Sequence, residues 1–233
     1  MTNLVALKAL NGERWVHAEG TRDFSSVARR LVAPRAKARY LAVSAKTGVP
    51  WFVIAVIHQR ECSQDWSGSL AQGDRWDRVS VHVPAGRGPF KSWEDAAVDA
   101  LVHCGPHAAR NQDWSPGGAL TKLEEYNGLG YAARGLPSPY VWSGTDQYVS
   151  GKYVRDGIFD PNVVDRQLGC AGLIAAMMKL DPTITFTGLT ILPPRTTPMP
   201  TEKTISGPSI GSPAKGAIGA FIISISNAIF ERK

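Results

Sequence analysis

Glu61 is the residue whose place in the sequence best suits proton transfer. It ends an apolar segment that begins at Trp51 and is typical of a helix buried on nearly all sides, and Pro50 supplies a start signal for that helix. A carboxyl group at the end of such a helix lies at the edge of a core. Desolvation there raises its pKa and can keep it protonated as a general acid. The alternative is a surface glutamate at a frayed helix end.

Two pairs of residues have the spacing of partial zinc sites. His58 lies three residues before Glu61 on the same predicted helix, and Cys104 lies three residues before His107. Each pair supplies fewer ligands than the three or four protein groups that bind a zinc ion. The sequence has five histidines and no His-Glu-x-x-His motif. We therefore expect neither a bound metal nor a cofactor.

The composition indicates a folded protein with an anionic partner. The chain has 233 residues, an apolar share of 43% and seven tryptophans, which is enough for one good core. Its net charge of +6 favours cell wall, nucleic acid or a membrane surface as the partner. Zinc-finger spacing and other nucleic-acid signatures are missing from the sequence, so we do not expect nucleic acid.

The cysteines and the N-terminal residues indicate the cellular compartment in which the protein is made. Cys62, Cys104 and Cys170 are few and far apart, which does not predict a disulfide framework. Residues 1–12 contain neither a long apolar region nor a cleavage site of small residues, so they do not resemble a secretory signal. We expect synthesis in the cytoplasm, followed by action elsewhere only after release or export.

The spacing of apolar residues predicts an α+β domain that is mainly helical. Residues 1–20 are ambiguous, and residues 78–83 alternate with period two, as a short strand does. A capping box that starts at Ser92 opens one of the helices, and residues 129–157 are loop-rich and aromatic. The predicted helices cover residues 23–33, 34–46, 51–61, 94–102, 117–126 and 160–179.

The C-terminal part of the chain has a different composition. Residues 191–214 are rich in Pro, Ser, Thr and Gly, as linkers are, so the predicted catalytic domain covers residues 1–190. Residues 215–233 are predicted to form an amphipathic helix, and its apolar part, residues 216–230, would span only about 22 Å, less than the ~30 Å core of a bilayer. Its expected roles are docking, self-association or contact with a membrane surface.

Several motifs together resemble the lysozyme superfamily. In that superfamily a helix like the one from Pro50 ends in a catalytic glutamate, often followed by serine, as in the segment Glu61-Cys62-Ser63. The segment Tyr126-Asn127-Gly128 is similar to a motif of the sugar cleft. More closely, the chain resembles bacterial and phage lysozyme-like proteins, which share a Val-His-Val-Pro-Ala-Gly-Arg segment and a Ser-Pro-Tyr-x-Trp block. The likeness covers roughly residues 35–180.

The resemblance implies roles for individual residues. Phage-type lysozymes have a Glu, then an Asp on a β-hairpin, then a Thr six positions later, and Glu61, Asp74 and Ser80 match that order. Glu61 would be the acid, Asp74 would activate a water or stabilise positive charge, and Ser80 would hold the water. The interval from Glu61 to Asp74 is longer than in those enzymes, and Ser replaces Thr. Asp77 is the next candidate for the second carboxylate, and Asp65 follows it. Asp74 suits an ordinary turn position nearly as well, and Ser80 suits an ordinary strand position better than a catalytic one.

Further residues of the matching region are candidates for binding sugar. Aromatic rings can stack on pyranose faces, although core packing explains each ring equally well. Asn127 suits a hydrogen bond to an N-acetyl group, or alternatively a helix end in the left-handed conformation. The candidates are Tyr126, Asn127, Tyr131, Tyr140 and Trp142.

The resemblance predicts a peptidoglycan glycosidase of the muramidase type that hydrolyses the glycan strand. A lytic transglycosylase is its close variant, in which Glu61 alone acts as acid and base. Two different classes of protein also fit the sequence: a zinc-dependent amidase, and a catalytically inactive module that binds the wall or belongs to a virion.

Overall fold

We describe residues 2–187 in a computed structural model of the chain. The domain is α+β and predominantly helical, with one two-stranded antiparallel sheet in the described part. Helices α1–α8 and strands β1 and β2 have the following bounds: α1 Leu4–His17, α2 Ser25–Leu31, α3 Pro34–Thr47, α4 Trp51–Cys62, α5 Trp93–His103, α6 Pro116–Asn127, α7 Pro139–Trp142, β1 Lys152–Arg155, β2 Ile158–Asp160 and α8 Cys170–Leu180.

Helix α4 is the centre of the hydrophobic core, as its sequence predicts. Every residue from Trp51 to His58 is buried, because the helix packs against α2, α3, α6 and α8. It starts at the residue after Pro50, and Ser63 ends it in the left-handed conformation with φ 55°. Glu61 thus lies in the last turn of a helix whose body is fixed on all sides.

Most of the other predicted helices are confirmed with small changes at their ends. Helix α3 begins at Pro34 as expected, α5 is capped by the Ser92 hydroxyl, which accepts a hydrogen bond from the Asp95 amide, and α6 is capped by Ser115. The ambiguous N-terminal segment forms a full helix, α1. The start predicted near Asp160 is wrong, because the helix there, α8, begins only after Gly169.

The strand predicted at residues 78–83 is wrong. The segment is a loop, and Val79, Val81 and Val83 are exposed rather than packed on a core face. Its backbone amides at positions 81 and 82 bond the Asp74 carboxylate instead of a neighbouring strand.

The sheet lies elsewhere in the chain, well after the predicted catalytic helix. Strands β1 and β2 form a hairpin in which Lys152 pairs with Asp160 and Tyr153 with Phe159. The expectation of a hairpin directly after Glu61 is therefore corrected: a hydrogen-bonded loop follows the helix.

Helices α1 and α6 cross at close range. Gly12 lies against Gly117, and a Cβ atom at Gly117 would come within 2.4 Å of the Lys8 carbonyl oxygen. Beside this crossing the Asn11 amide donates to Glu124, whose carboxyl group is fully buried. Burial raises the pKa of Glu124 to about 6, although the Asn11 amide favours the ionised form.

Two predictions about the C-terminal part lie outside the described residues, namely the linker at 191–214 and the amphipathic helix at 215–233. Among residues 2–187, no single helix is long and apolar enough to cross a membrane. Helices α3 and α4 meet such a criterion only as a pair, and they are bent by 113° relative to each other.

Candidate functional site

Glu61 has a defined hydrogen-bond partner at the end of α4. The Tyr140 hydroxyl, from α7, donates to Glu61 Oε1 over 2.9 Å. Glu61 is half-buried, whereas Tyr140 is only 3% exposed. The carboxyl group is therefore held between a dry interior and the surface, which is the position that the helix pattern predicts.

Tyr126 is a second tyrosine that interacts electrostatically with Glu61. Its hydroxyl donates to the Leu70 carbonyl oxygen over 3.0 Å. Burial, and then the nearby charge of Glu61, raise the pKa of Tyr126 and of Tyr140 well above the usual value for a phenol. Both hydroxyls therefore stay protonated and act as donors beside the carboxyl group.

The role predicted for Tyr140 as a sugar platform is corrected. Its ring is buried, and the Arg60 guanidinium lies 4.8 Å from the ring centroid. A sugar cannot stack on a ring that is covered in this way. Tyr140 contacts the candidate acid rather than offering a surface to substrate.

A buried ion cluster lies behind Tyr140, and the sequence did not predict it. Arg60 Nη2 contacts Asp165 Oδ2 at 2.9 Å, and Lys152 Nζ contacts Asp165 Oδ1 at 3.1 Å. Burial raises the pKa of Asp165, but Arg60 and then Lys152 hold it below its ordinary value. Arg60 lies in a polar helix turn, between His58 and Glu61, so the local sequence gives no sign of its buried partner.

Asp74 lies on the loop that packs against the end of α4. Gly73 has φ +74°, and a Cβ atom there would lie 3.0 Å from the Glu61 carbonyl oxygen, so the backbone before Asp74 touches the helix end. Asp74 Oδ2 accepts from the Val81 and His82 amides over 2.8 and 2.9 Å, and Oδ1 lies 2.6 Å from His82 Nδ1. Burial raises the pKa of Asp74, but these hydrogen bonds outweigh it and keep the pKa below its ordinary value.

The water-holding role predicted for Ser80 does not fit its contacts. The Ser80 hydroxyl donates to the Pro84 carbonyl oxygen and accepts from the Arg87 amide, each over 2.9 Å. The side chain is buried in the turn that these bonds close. The serine stabilises the loop, as expected for a local structural residue.

The two further candidates for the second carboxylate have partners of their own. Asp77 forms an exposed ion pair with Arg75 at 2.5 Å. Asp65 accepts hydrogen bonds from the amide and the hydroxyl of Ser67 in a tight turn. Asp74 has a side chain that is 16% exposed and directly follows Gly73, whose backbone touches the Glu61 carbonyl oxygen, so it is better placed than either to act beside Glu61.

Two of the remaining candidates for sugar binding differ in how far their side chains are exposed to solvent. Asn127 is half-buried at the end of α6, and the positive φ of 93° belongs to Gly128, so Asn127 itself is not the left-handed residue. Tyr131 is buried, and its hydroxyl accepts from the Tyr153 amide over 3.0 Å.

Trp142 is a core residue and is removed from the candidates for sugar binding. It has no exposed surface, and its Nε1 donates to the Asn11 side-chain oxygen over 3.3 Å. The prediction that this ring stacks on sugar is therefore corrected.

His58 is a core residue with both ring nitrogens in use. Nδ1 accepts from the Tyr40 hydroxyl over 2.9 Å, and Nε2 donates to the Asp65 carbonyl oxygen over 3.0 Å. Burial lowers the pKa of His58 to about 4, so the ring is neutral near pH 7. Neither nitrogen is available to a zinc ion, which removes the His58–Glu61 pair as a metal site.

The second candidate pair for zinc also has other partners. The Cys104 thiol lies 3.8 Å from Asp99, and His107 Nδ1 donates to the Val102 carbonyl oxygen. Burial raises the pKa of Cys104 to about 11, which disfavours the thiolate that zinc requires. Across residues 2–187 there is no group of three or more His, Cys, Asp or Glu side chains arranged to hold a metal ion.

Comparison with known proteins assigns no family. The chain matches no family model, no curated protein and no solved structure. The resemblance to lysozymes therefore rests on the short motifs in the sequence, and the functional argument rests on the geometry around Glu61.

Proposed function

We propose that this protein is a peptidoglycan glycosidase of the muramidase type, with a lysozyme-like fold and Glu61 as its general acid. The observation that carries the proposal is the hydrogen bond of 2.9 Å from the buried Tyr140 hydroxyl to Glu61 Oε1, at the end of a helix fixed in the core. A carboxyl group so held has a defined orientation at the edge of the core. A fixed orientation favours proton donation to a leaving oxygen.

Hydrolysis needs a second group that accepts a proton from water. In the proposed reaction Glu61 protonates the glycosidic oxygen, the C–O bond breaks, and a water oxygen bonds the sugar carbon while Asp74 takes the water proton. Asp74 Oδ2 already accepts two hydrogen bonds, but Oδ1 accepts from His82 alone among the described residues. A lone pair on Oδ1 therefore remains for the water.

The charge of the chain suits the proposed substrate. Peptidoglycan carries acidic peptides and often lies beside anionic polymers, and a protein with a net charge of +6 is attracted to such a surface. This attraction is screened by salt, so binding to the wall is expected to weaken as ionic strength rises.

The contacts of the loop favour a second candidate, a lytic transglycosylase. The Ser80 hydroxyl both donates and accepts within its own turn, and three of the hydrogen bonds to the Asp74 carboxylate hold the loop, which leaves a water only one acceptor position, on Asp74 Oδ1. If no water is activated, a hydroxyl of the sugar attacks instead, and Glu61 receives its proton after donating its own. That reaction leaves an anhydro sugar end rather than a reducing end.

The experiment that distinguishes these outcomes is digestion of purified peptidoglycan by the wild type, with mass spectrometry of the released fragments. New reducing ends support the muramidase proposal, and anhydro ends support the transglycosylase. Freed peptides with intact glycan would overturn both and indicate an amidase. Binding to the wall without any release would instead support a catalytically inactive wall-binding module.

A further inference from the structure

The charged groups behind the candidate site form a single buried unit. Arg60 comes from α4, Asp165 from the segment before α8, and Lys152 from the first residue of β1. Arg60 and Asp165 are both buried, and Lys152 is partly buried. The unit therefore joins helix α4 to strand β1 and to the segment before α8.

Asp165 is fixed by its backbone as well as by its charge. Its amide donates to the Tyr148 hydroxyl over 3.0 Å, and its carbonyl oxygen accepts from the Ser143 hydroxyl over 2.8 Å. Buried ion pairs of this kind add little net stability, because the cost of removing the charges from water offsets their attraction. Net stability is therefore not the main contribution expected of the unit.

The unit contacts Glu61 through Tyr140. The Arg60 guanidinium lies 4.8 Å from the centroid of the Tyr140 ring, and the hydroxyl of the same ring donates to Glu61 Oε1. Arg60 also precedes Glu61 directly on the helix. Glu61 also interacts electrostatically with Tyr126 from α6, Cys62 from α4 and Cys170 from α8. All three side chains are neutral near pH 7, because burial raises the pKa of each group.

We propose that Arg60, Asp165 and Lys152 are positioning residues, which hold Tyr140 against Glu61 and set the charge that the Glu61 carboxyl group experiences. The inference rests on the proposed function, because the proton on Glu61 matters only if Glu61 is an acid. Asp165 offsets the charge of Arg60, so that the unit carries a net charge of +1 rather than +2. This balance lets Glu61 keep its proton to a higher pH than an unpaired arginine would allow.

The proposal predicts shifts of opposite sign in two variants. In Asp165→Asn, Arg60 loses its counter-charge and favours ionised Glu61, so the titration midpoint of Glu61 falls. In Lys152→Met, one positive charge is removed, so the midpoint rises. Each shift is expected to be on the order of half a pH unit. A purely structural role would move both variants in the same direction or move neither.

The test is a ¹³C NMR titration of the side-chain carboxyl carbons of glutamate-labelled full-length protein. The Glu61 signal is assigned by its loss in Glu61→Gln. Lys8→Met is the matched control, since it removes the same charge from an exposed ion pair with Asp113. Its Glu61 midpoint should not change.

The outcomes separate the two proposals. Opposite shifts support the positioning role, and unchanged or parallel shifts overturn it, whether or not the wild type cleaves peptidoglycan. If the shifts appear but the wild type releases no fragments, the proposed function fails while the electrostatic unit stands. If Asp165→Asn does not fold, Lys152→Met decides alone, because a midpoint that does not rise above that of Lys8→Met overturns the inference.

Discussion

The two sides of the candidate site are built in different ways. Glu61 belongs to a helix whose body is buried and which packs against four other helices, and its carboxyl group is bonded from α7. Asp74 belongs to a loop, and its carboxylate is bonded only by residues of the same loop among those described. The first side is held by packing and the second by local hydrogen bonds.

Because of this difference, the acid and the second carboxylate are not held in place equally firmly. A group held by packing keeps its place unless the core changes, whereas a loop held by a few hydrogen bonds can open at a small cost in free energy. The proposed acid is thus the rigid partner, and the proposed base can move with its loop when the glycan strand binds.

The largest expected effect is the difference in the free energy of unfolding between the variants Ile54→Ala and Val81→Ala. Ile54 has no exposed surface in α4, so truncation should reduce the free energy of unfolding by about 2–5 kcal/mol. Val81 is 78% exposed on the loop, so its truncation should change that energy by less than about 0.5 kcal/mol. Urea denaturation of both variants measures the difference. Similar losses in the two variants would contradict the division into a packed and a locally bonded side.

The next effect concerns His58, which joins α4 to the start of the loop at Asp65. Because burial lowers its pKa from 6.5 to about 4, the folded protein excludes a proton that the unfolded chain binds between these values. The stability that depends on neutral His58 is fully present above pH 6.5 and is lost as pH falls towards 4, by about 3 kcal/mol in total. Denaturation curves over this range should show a steeper pH dependence in the wild type than in His58→Gln. Equal slopes would count against a neutral buried His58.

The smallest expected effect is that of Asp74→Asn on overall stability. The amide loses the charge-assisted bonds to the loop, so the loop should open more often while the free energy of unfolding changes by about 1 kcal/mol or less. Limited trypsin digestion should cut faster after Arg78, with Glu19→Gln as a surface control. In the wild type the pKa of Asp74 lies below the ordinary value of 3.8, so the stability from these bonds is fully present above pH 3.8 and is lost as pH falls through the lowered pKa. Unchanged cleavage would show that Asp74 does not hold the loop.

The packed side was also the predictable side. A continuous apolar run predicts a buried helix wherever it occurs, and α4 has both the run and a proline start. Helix α1 was ambiguous because Leu4, Val5 and Val16 are exposed, while Asn11 and Gly12 face the interior. Because the buried face of this helix includes an asparagine and a glycine, its apolar residues do not recur with the helical period.

The loop side was mispredicted for a related reason. The alternation of Val79, Val81 and Val83 has the period of a strand, but these side chains face solvent and the backbone bonds a carboxylate. The sequence does contain a turn signal for the hairpin of β1 and β2. An Asp-Gly pair is typical of a two-residue hairpin turn, and in Asp156-Gly157 the glycine has φ +70° between the strands. The contact of Arg60 with Asp165 joins residues 105 positions apart, and no local pattern predicts such a pair.

The most direct test of the central claim is the rate at which Glu61→Gln cleaves purified peptidoglycan, relative to the wild type and to the surface control Glu19→Gln. Loss of the proton donor is expected to reduce the rate by about 10²- to 10⁴-fold, with unfolding curves unchanged and Glu19→Gln fully active. A Glu61→Gln variant that cleaves the glycan at the wild-type rate would contradict the assignment of Glu61 as the acid.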